Sequence, residues 1–373
     1  MHTESPPQAI VLVSFGGPEK PDDVIPFLEN VLRGRNVPRE RMMAVADHYH
    51  HFGGKSPIND QNRALIAALQ GVLETEGPNL PVYFGNRNWH PMLADTLAQM
   101  RDDGITHALA FVTSAFSSYS GCRQYREDIS AAQAAVGDRA PRIDKLRAFH
   151  NHPKFMNVMI ERTRDALAKV EPERRDAMTI LFSAHSIPES MAQGCAYAAQ
   201  LYDAAGFVTE GVGTAAAPTS AAPSAPGIPA PNALLEWRLV YQSRSGPASQ
   251  SWLGPDVCDA VDAEADRGRK AVVVVPLGFI SDHMEVIHDL DHDAVERAEA
   301  RGLQMVRAAT AGTHPTFVSM IRDLVLERLA PGTERTTVGS RGPNPDVCPA
   351  NCCPAPQRPT GPPSPAATNR PTH

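Results

Sequence analysis

Three carboxylates recur at a helical spacing in the second half of the sequence: Glu285, Asp289 and Asp293. They follow the apolar run 271–276, Ala-Val-Val-Val-Val-Pro, which is typical of a buried strand. If the chain becomes helical after that run, positions i, i+4 and i+8 share one face. Like charges at this spacing destabilise a helix, so the row favours a chemical use, such as holding a hard cation or relaying protons. The alternative is a solvated acidic face.

A histidine stands at the end of another apolar run. Residues 179–182, Thr-Ile-Leu-Phe, lead through Ser-Ala to His185, which Ser-Ile-Pro follows. In open α/β sheets, ligands and catalytic groups gather at the carboxyl ends of strands. A neutral imidazole binds a borderline metal and accepts a proton near pH 7. A hydrogen-bonded structural histidine is the alternative, but the acidic row at another strand end favours a shared site.

Strand-like and helix-like segments alternate twice along the chain. This pattern predicts an α/β fold with two similar domains, each a parallel four-stranded sheet flanked by helices, that face each other across a cleft. Neither a GxGxxG sequence after the first strand nor a Walker A motif is present, so nucleotide binding is not supported. Segment 211–233, rich in Ala, Pro, Ser and Gly, is expected to be a flexible insertion, and 331–373 a loose tail.

The composition narrows the class of protein. With 373 residues and 42% hydrophobic content, the chain can build a substantial core. A net charge of −7 without a basic stripe argues against nucleic acid as a partner. No apolar run reaches the roughly 18 residues of a membrane span, and residues 1–8 lack a signal-peptide pattern. We therefore expect a cytoplasmic protein with no transmembrane segment.

Three of the six cysteines crowd into the tail, where Cys348, Cys352 and Cys353 lie in the sequence Cys-Pro-Ala-Asn-Cys-Cys. Thiolates this close repel one another unless a metal takes up their charge. Zinc and iron–sulfur centres usually have four protein ligands, so a fourth ligand is expected from elsewhere in the chain. The alternative is a partly oxidised tail with no metal.

Several motifs together resemble those of ferrochelatases. The two signature motifs match Ser-Ala-His-Ser-Ile-Pro at 183–188 and Gly-Phe-Ile-Ser-Asp-His-Met-Glu-Val at 278–286. Further agreement lies at 13–18, 54–58, 241–244 and 252–257, and the match runs in order from about residue 8 to residue 330. The resemblance implies a lyase that inserts Fe²⁺ into a porphyrin and releases two protons. It also implies a chelatase-like fold with the porphyrin cleft between domains at 8–148 plus 311–330 and at 149–310.

The resemblance assigns roles to the acidic row and the histidine. His185 would accept a pyrrole proton or hold iron, and Glu285 would be the carboxylate that opposes it. Asp289 and Asp293 would lie behind Glu285, where they bind cations or carry protons outward. The Fe²⁺ substrate would thus meet His185, Glu285, Asp289 and Asp293.

The resemblance also implies a set of porphyrin-binding residues: Phe15, Arg33, Arg35, Ser56, Arg87 and Tyr125. Arginine suits the propionates because its guanidinium binds a carboxylate in a bidentate way, although an Arg-Gly-Arg turn is also consistent with plain surface. Some relatives have a metal-contacting tyrosine where this chain has Phe15, which cannot ligate and is expected to pack against the macrocycle. The resemblance favours coproporphyrin III as the substrate, with protoporphyrin IX as the alternative.

Some ferrochelatases hold a [2Fe–2S] cluster on three C-terminal cysteines and one internal cysteine. By resemblance, Cys122 would join Cys348, Cys352 and Cys353 as the fourth ligand. Enzymes upstream and downstream in haem synthesis are the expected protein partners, and a monomer is the expected state. Two other functions stay open: a cobalt or nickel chelatase, and a non-catalytic haem-binding or haem-delivery protein.

Overall fold

A computed structural model describes residues 5–34, 37–213, 235–246, 249–330 and 332–356. Arg35, most of the predicted insertion 211–233 and the end of the tail lie outside the described residues. None of the described helices has the length and apolar character needed to cross a membrane.

In the described part of the chain, eight strands form two parallel four-stranded sheets, as the sequence predicts. The first sheet has the order β2-β1-β3-β4 and the second the order β6-β5-β7-β8, so both halves repeat one topology. The strands are β1 (Ala9–Ser14), β2 (Val82–Asn86), β3 (His107–Val112), β4 (Arg142–Lys145), β5 (Met178–His185), β6 (Trp237–Gln242), β7 (Ala271–Val275) and β8 (Gln304–Arg307).

Helices connect these strands and cover both faces of each sheet. They are α1 (Val24–Val31), α2 (Arg39–His51), α3 (Ile58–Glu76), α4 (Leu93–Asp102), α5 (Gln124–Val136), α6 (Pro153–Ala168), α7 (Glu189–Ala192), α8 (Tyr197–Gly213), α9 (Val257–Asp266), α10 (Met284–Val286), α11 (Ala294–Ala300) and α12 (Pro315–Leu329). Two π-helical segments, Tyr119–Arg123 and Ile287–Asp293, precede α5 and α11.

The inner faces of the two sheets share one hydrophobic core. Leu12 of β1 and Val273 of β7 both belong to this core, together with side chains of α3, α6, α8 and α12. Alternate residues, such as Val11 and Val272, point to the outer faces, where they meet two separate clusters. Both faces of these strands are therefore buried, and this accounts for the unbroken apolar runs in the sequence.

Helix α12 packs against α3 and α6, so it contacts elements of both predicted domains. Its Glu327 forms a buried, bidentate ion pair with Arg147: Nε to Oε2 is 2.7 Å, and the second pair of atoms is 2.8 Å apart. Arg147 also donates to the carbonyl of Thr336, 3.2 Å away. One guanidinium therefore ties the chain after β4 to α12 and to the segment that follows α12.

Candidate active site

The candidate site lies where three neighbouring strands of the second sheet end. His185 is the last residue of β5, Gln242 is its register partner on β6, and the loop after β7 begins next to them. The amide of Gly278 in that loop donates to the carbonyl of Ser183, at 3.0 Å. A Cβ on Gly278 would lie 2.6 Å from the Cβ of Ala184, so only glycine lets the loop approach β5 this closely.

The local geometry fixes the tautomer of His185. Its Nδ1 lies 2.5 Å from the carbonyl oxygen of Ser186, and a carbonyl can only accept, so Nδ1 carries the hydrogen. The lone pair is then on Nε2, which lies 3.6 Å from Oε2 of Glu285. The two side chains are 35% and 48% exposed, so both can be reached from outside the protein. The hydroxyl of Tyr197 donates to the backbone carbonyl of His185 and steadies the strand end.

The three carboxylates lie on a helix that is not the regular α-helix assumed from their spacing. Glu285 is in α10, Asp289 is in the π-helical segment Ile287–Asp293, and Asp293 ends that segment. A π-helical turn is wider than an α-helical one and is frequent at functional sites. Asp289 is the most buried of the three, and burial raises its pKa, as does the charge of Glu285. It can therefore carry a proton at a higher pH than an exposed aspartate.

Two side chains at the end of β6 hold Asp289. The hydroxyl of Ser243 donates to Oδ2 of Asp289, and the amide of Gln242 donates to the same oxygen at 3.3 Å. Ser243 has a φ of 60°, in the left-handed region that costs energy for a residue with a Cβ. In this strained backbone conformation, the hydroxyl of Ser243 reaches the carboxylate of Asp289.

Two further residues near Glu285 were not among the predicted site residues. Burial is the largest cause of the lowered pKa of His283. The charge of Glu285 acts against this shift, and that of His185 adds to it. The sequence could have marked His283 as a site residue, because it lies in the same signature motif as Glu285. Burial raises the pKa of Tyr49, with a contribution from the charge of Glu285, so α2 lies against the site. Nothing in the sequence pattern indicated that contact.

Three of the predicted porphyrin-binding residues lie together. Phe15 follows β1 and is 38% exposed, with its ring edge-on to Phe27. The guanidinium of Arg87 lies 5.7 Å from the centre of the Phe15 ring and 4.5 Å from that of the buried Tyr125. Arg87 also pairs with Asp128, so its charge already has a partner. Arg87 therefore supports the Phe15 ring in this structure.

Two more of the predicted porphyrin-binding residues, Arg33 and Ser56, fall within the described residues. Arg33 is exposed in the turn after α1. Ser56 is only 2% exposed, and its amide donates to the carbonyl of Pro18. An added Cβ on Gly17 would lie 2.7 Å from the Cβ of Ser56, so the serine side chain packs beneath the turn that follows β1.

The four predicted cluster cysteines form two pairs. Cys122, in the π-helical segment before α5, shares a hydrogen bond with Cys348, and the sulfurs of Cys352 and Cys353 are 3.6 Å apart. The bond from Cys348 lowers the pKa of Cys122 to about 5 against the effect of burial, and nearby Lys145 adds to the lowering. Cys122 therefore presents a thiolate near neutral pH, the form that binds metal.

Comparison with known proteins identifies the family of this chain. The family model for ferrochelatase matches residues 7–329. The chain belongs to the ferrochelatase family. A protein of Rhodopirellula baltica named ferrochelatase is 51% identical over 356 residues, which cover 94% of this chain and 95% of that protein. A Streptomyces coelicolor protein named coproporphyrin III ferrochelatase is 48% identical, with 94% of each chain covered. The solved structure of SirB from Bacillus subtilis with Fe³⁺ overlays with a TM-score of 0.49 at 12% identity, covering 86% of this chain and 96% of that one.

Proposed function

We propose that this protein inserts Fe²⁺ into coproporphyrin III and releases two protons, which makes it a lyase of haem synthesis. The observation that carries the proposal is the pair His185 and Glu285, whose Nε2 and Oε2 face each other across 3.6 Å at the carboxyl ends of the second sheet. A porphyrin centre brought against this pair would meet the imidazole as a base and the carboxylate row as a path for the cation. The ferrochelatase family match and the coproporphyrin III relatives support the same reaction.

The geometry divides the work between the two groups. Nδ1 of His185 is committed to the Ser186 carbonyl, so Nε2 is the atom that accepts a pyrrole proton. Glu285, with Asp289 and Asp293 behind it, holds Fe²⁺ on its way to the pyrrole nitrogens, because carboxylate oxygens bind such cations. Asp289, with its raised pKa, can also return a proton along the row toward solvent.

Substrate choice follows from the propionates. Coproporphyrin III has four propionates and protoporphyrin IX has two, so cations at the cleft should favour the former. We assign this task to Arg33 and Arg35, because Arg87 is already paired with Asp128 and the side chain of Ser56 is buried. Phe15 supplies an exposed aromatic face for the macrocycle.

We expect anaerobic assays with Fe²⁺ to show faster insertion into coproporphyrin III than into protoporphyrin IX, measured by the change in porphyrin absorption. The double variant Arg33→Ala, Arg35→Ala should raise KM for coproporphyrin III, while the matched change Arg123→Ala, at a partly exposed arginine just before α5, should not. Faster turnover of protoporphyrin IX would contradict the substrate assignment. Tight haem binding without turnover would instead favour a haem-delivery protein.

We also propose that Cys122, Cys348, Cys352 and Cys353 hold a [2Fe–2S] cluster. Such a cluster needs two thiolates on each of two irons, and the structure arranges these sulfurs as two pairs. The lowered pKa of Cys122 fits a metal-binding thiolate. A bound cluster would supply one-electron chemistry and would fasten the tail to the start of α5.

Protein purified without oxygen should be brown, and Cys348→Ser or Cys352→Ser should remove the visible absorption bands. Each change removes one thiolate ligand: Cys348 from the pair with Cys122, or Cys352 from the pair with Cys353. Cys258→Ser is the matched control, since burial raises the pKa of this thiol on α9 to about 12 and it should keep the colour. A colourless protein that contains stoichiometric zinc would overturn the cluster assignment.

A further inference from the structure

A cavity of about 300 Å³ lies between helix α8 and the segment of the tail that follows α12. Its walls include Phe207 of α8, Val338 of the tail, and the neighbours His150 and Asn151, which lie between β4 and α6. None of its described lining residues belongs to the proposed porphyrin or iron site. The volume is at the lower end of the range for small-molecule sites, so it suits a small ligand and not a macrocycle.

His150 presents a buried hydrogen-bond donor whose position can be assigned. The side-chain nitrogen of Asn344 lies 3.1 Å from Nδ1 of His150, and the same nitrogen donates to the carbonyl of Ala148 at 3.2 Å. Nδ1 therefore accepts, and the hydrogen of the neutral ring is on Nε2. Burial, with help from the charge of Arg341, lowers the pKa of His150 to about 4, so the ring is neutral at physiological pH. Nε2 is buried and has no hydrogen-bond partner among the described residues.

Asn151 presents a buried acceptor beside this donor. Its side-chain nitrogen donates to the carbonyl of Gly342, at 2.8 Å, and this bond fixes the orientation of the amide. Its Oδ1 is buried and, in the part of the chain that the structure describes, has no partner. Neither Gly342 nor Asn344 is among the described lining residues of the cavity, so the opposite edges of Asn151 and His150 are the ones left to face it. Buried polar groups are normally satisfied, and this pair calls for a ligand with both an acceptor and a donor.

The charges at the rim of the cavity limit which ligands can enter. Asp203 forms an ion pair with Arg341, and Glu210 adds a second exposed carboxylate. The described lining therefore has a net negative charge, which disfavours phosphates and carboxylates. Met156 and Phe207 give the interior an apolar surface. The cavity thus suits an uncharged molecule with an apolar body and one polar end.

We propose that this cavity binds a small uncharged ring that carries a carboxamide or lactam group. The carbonyl of that group accepts from Nε2 of His150, its N–H donates to Oδ1 of Asn151, and the ring packs against Phe207 and Val338. Because the tail supplies one wall, an occupied site fastens the segment that precedes Cys348 to α8. Such binding requires neither iron nor porphyrin.

Calorimetry with nicotinamide on the purified full-length protein tests the site. Nicotinamide should bind with one-to-one stoichiometry, whereas nicotinate, which has the same shape but carries a carboxylate, should bind at least about 10-fold more weakly. His150→Phe keeps a ring and removes the donor, so it should weaken nicotinamide binding by about 10-fold. His314→Phe, at the start of α12, is the matched control and should leave the affinity unchanged.

Two further measurements keep the test decisive. Phe207→Ala, which removes an apolar wall, replaces His150→Phe if thermal unfolding shows that the latter is not folded, and it should also weaken binding. Bound nicotinamide should slow hydrogen exchange at the amide of Val338, which donates to the carbonyl of Asn151 at 2.9 Å. Equal affinity for nicotinamide and nicotinate, or no binding of either nicotinamide or uracil at millimolar concentration, would overturn the site. A crystal grown with nicotinamide that shows only ordered water on Nε2 and Oδ1 would do the same.

Discussion

The His185→Ala variant is expected to insert iron into coproporphyrin III about 10²- to 10⁴-fold more slowly than the unmodified protein, which is the usual contribution of a positioned acid–base group. The structure gives the reason: Nε2 of His185 has the only lone pair that this ring can offer, and it faces Glu285. Porphyrin binding should change little, because the imidazole contributes little contact area. Single-turnover insertion under anaerobic Fe²⁺, with porphyrin affinity measured by fluorescence quenching, separates the two effects.

Glu285→Gln completes that test, since it keeps the shape of the side chain and removes its charge. It should also slow insertion, with a larger effect on the Fe²⁺ dependence than on porphyrin affinity. His314→Ala removes a histidine far along the chain and should leave turnover unchanged. Near-normal rates in both His185→Ala and Glu285→Gln would refute the assignment of this pair as the catalytic site.

The second large effect concerns stability. Glu327→Ala is expected to lower the free energy of unfolding by about 3–5 kcal/mol, because it leaves the charge of Arg147 buried without a carboxylate. Both side chains of the pair are almost fully buried, at 1% and 3% exposure, so water cannot replace the lost partner. Urea denaturation followed by circular dichroism measures the change.

Two comparisons separate loss of the pair from loss of packing. The double variant Arg147→Met, Glu327→Leu removes both charges and should recover most of the stability, as apolar replacements of buried ion pairs often do. Breaking the partly exposed pair of Arg123, which ends the π-helical segment before α5, and Glu127 of α5 should cost at most about 1 kcal/mol. Equal losses at the buried and the exposed pair would contradict the expected cost of leaving Arg147 buried without a partner.

The parts of this fold that follow from sequence are those with strong local signals. The run 271–275 is apolar at every position because both faces of β7 are buried, so its assignment as a strand needed no tertiary information. A topological rule about strand ends predicted that His185 and Glu285 meet, and the 3.6 Å between them in the structure agrees with it.

The parts that local patterns did not reveal depend on tertiary contacts. Helix α2 was not predicted, since only Met42 and Ala46 among its residues are buried and its last turns are rich in histidine. Strand β8 was not located either, because its four residues form an edge strand with no fully buried side chain. The stacking of His48 of α2 on His288 could not be anticipated either, because the two residues are far apart in the sequence.

The sequence pattern also did not reveal which partners the predicted site residues would have in the fold. The sequence offers Arg87 as a cation for propionates, but the fold places Asp128 beside it. The same holds for Ser56, which a motif marks as a ligand and the fold buries beneath Gly17. A residue type indicates which bonds a side chain can make, whereas its neighbours in space decide which of them it makes.

The core shared by the inner faces of both sheets limits how this enzyme can move. Leu12 and Val273 belong to one close-packed core. A hinge motion that separated the two halves would expose this core to water. We therefore expect the backbone around His185 and Glu285 to keep its shape when a macrocycle binds against them. The backbone of such a protein would barely change shape during a catalytic cycle, so adaptation between protein and substrate would fall to the side chains and to the bound ring.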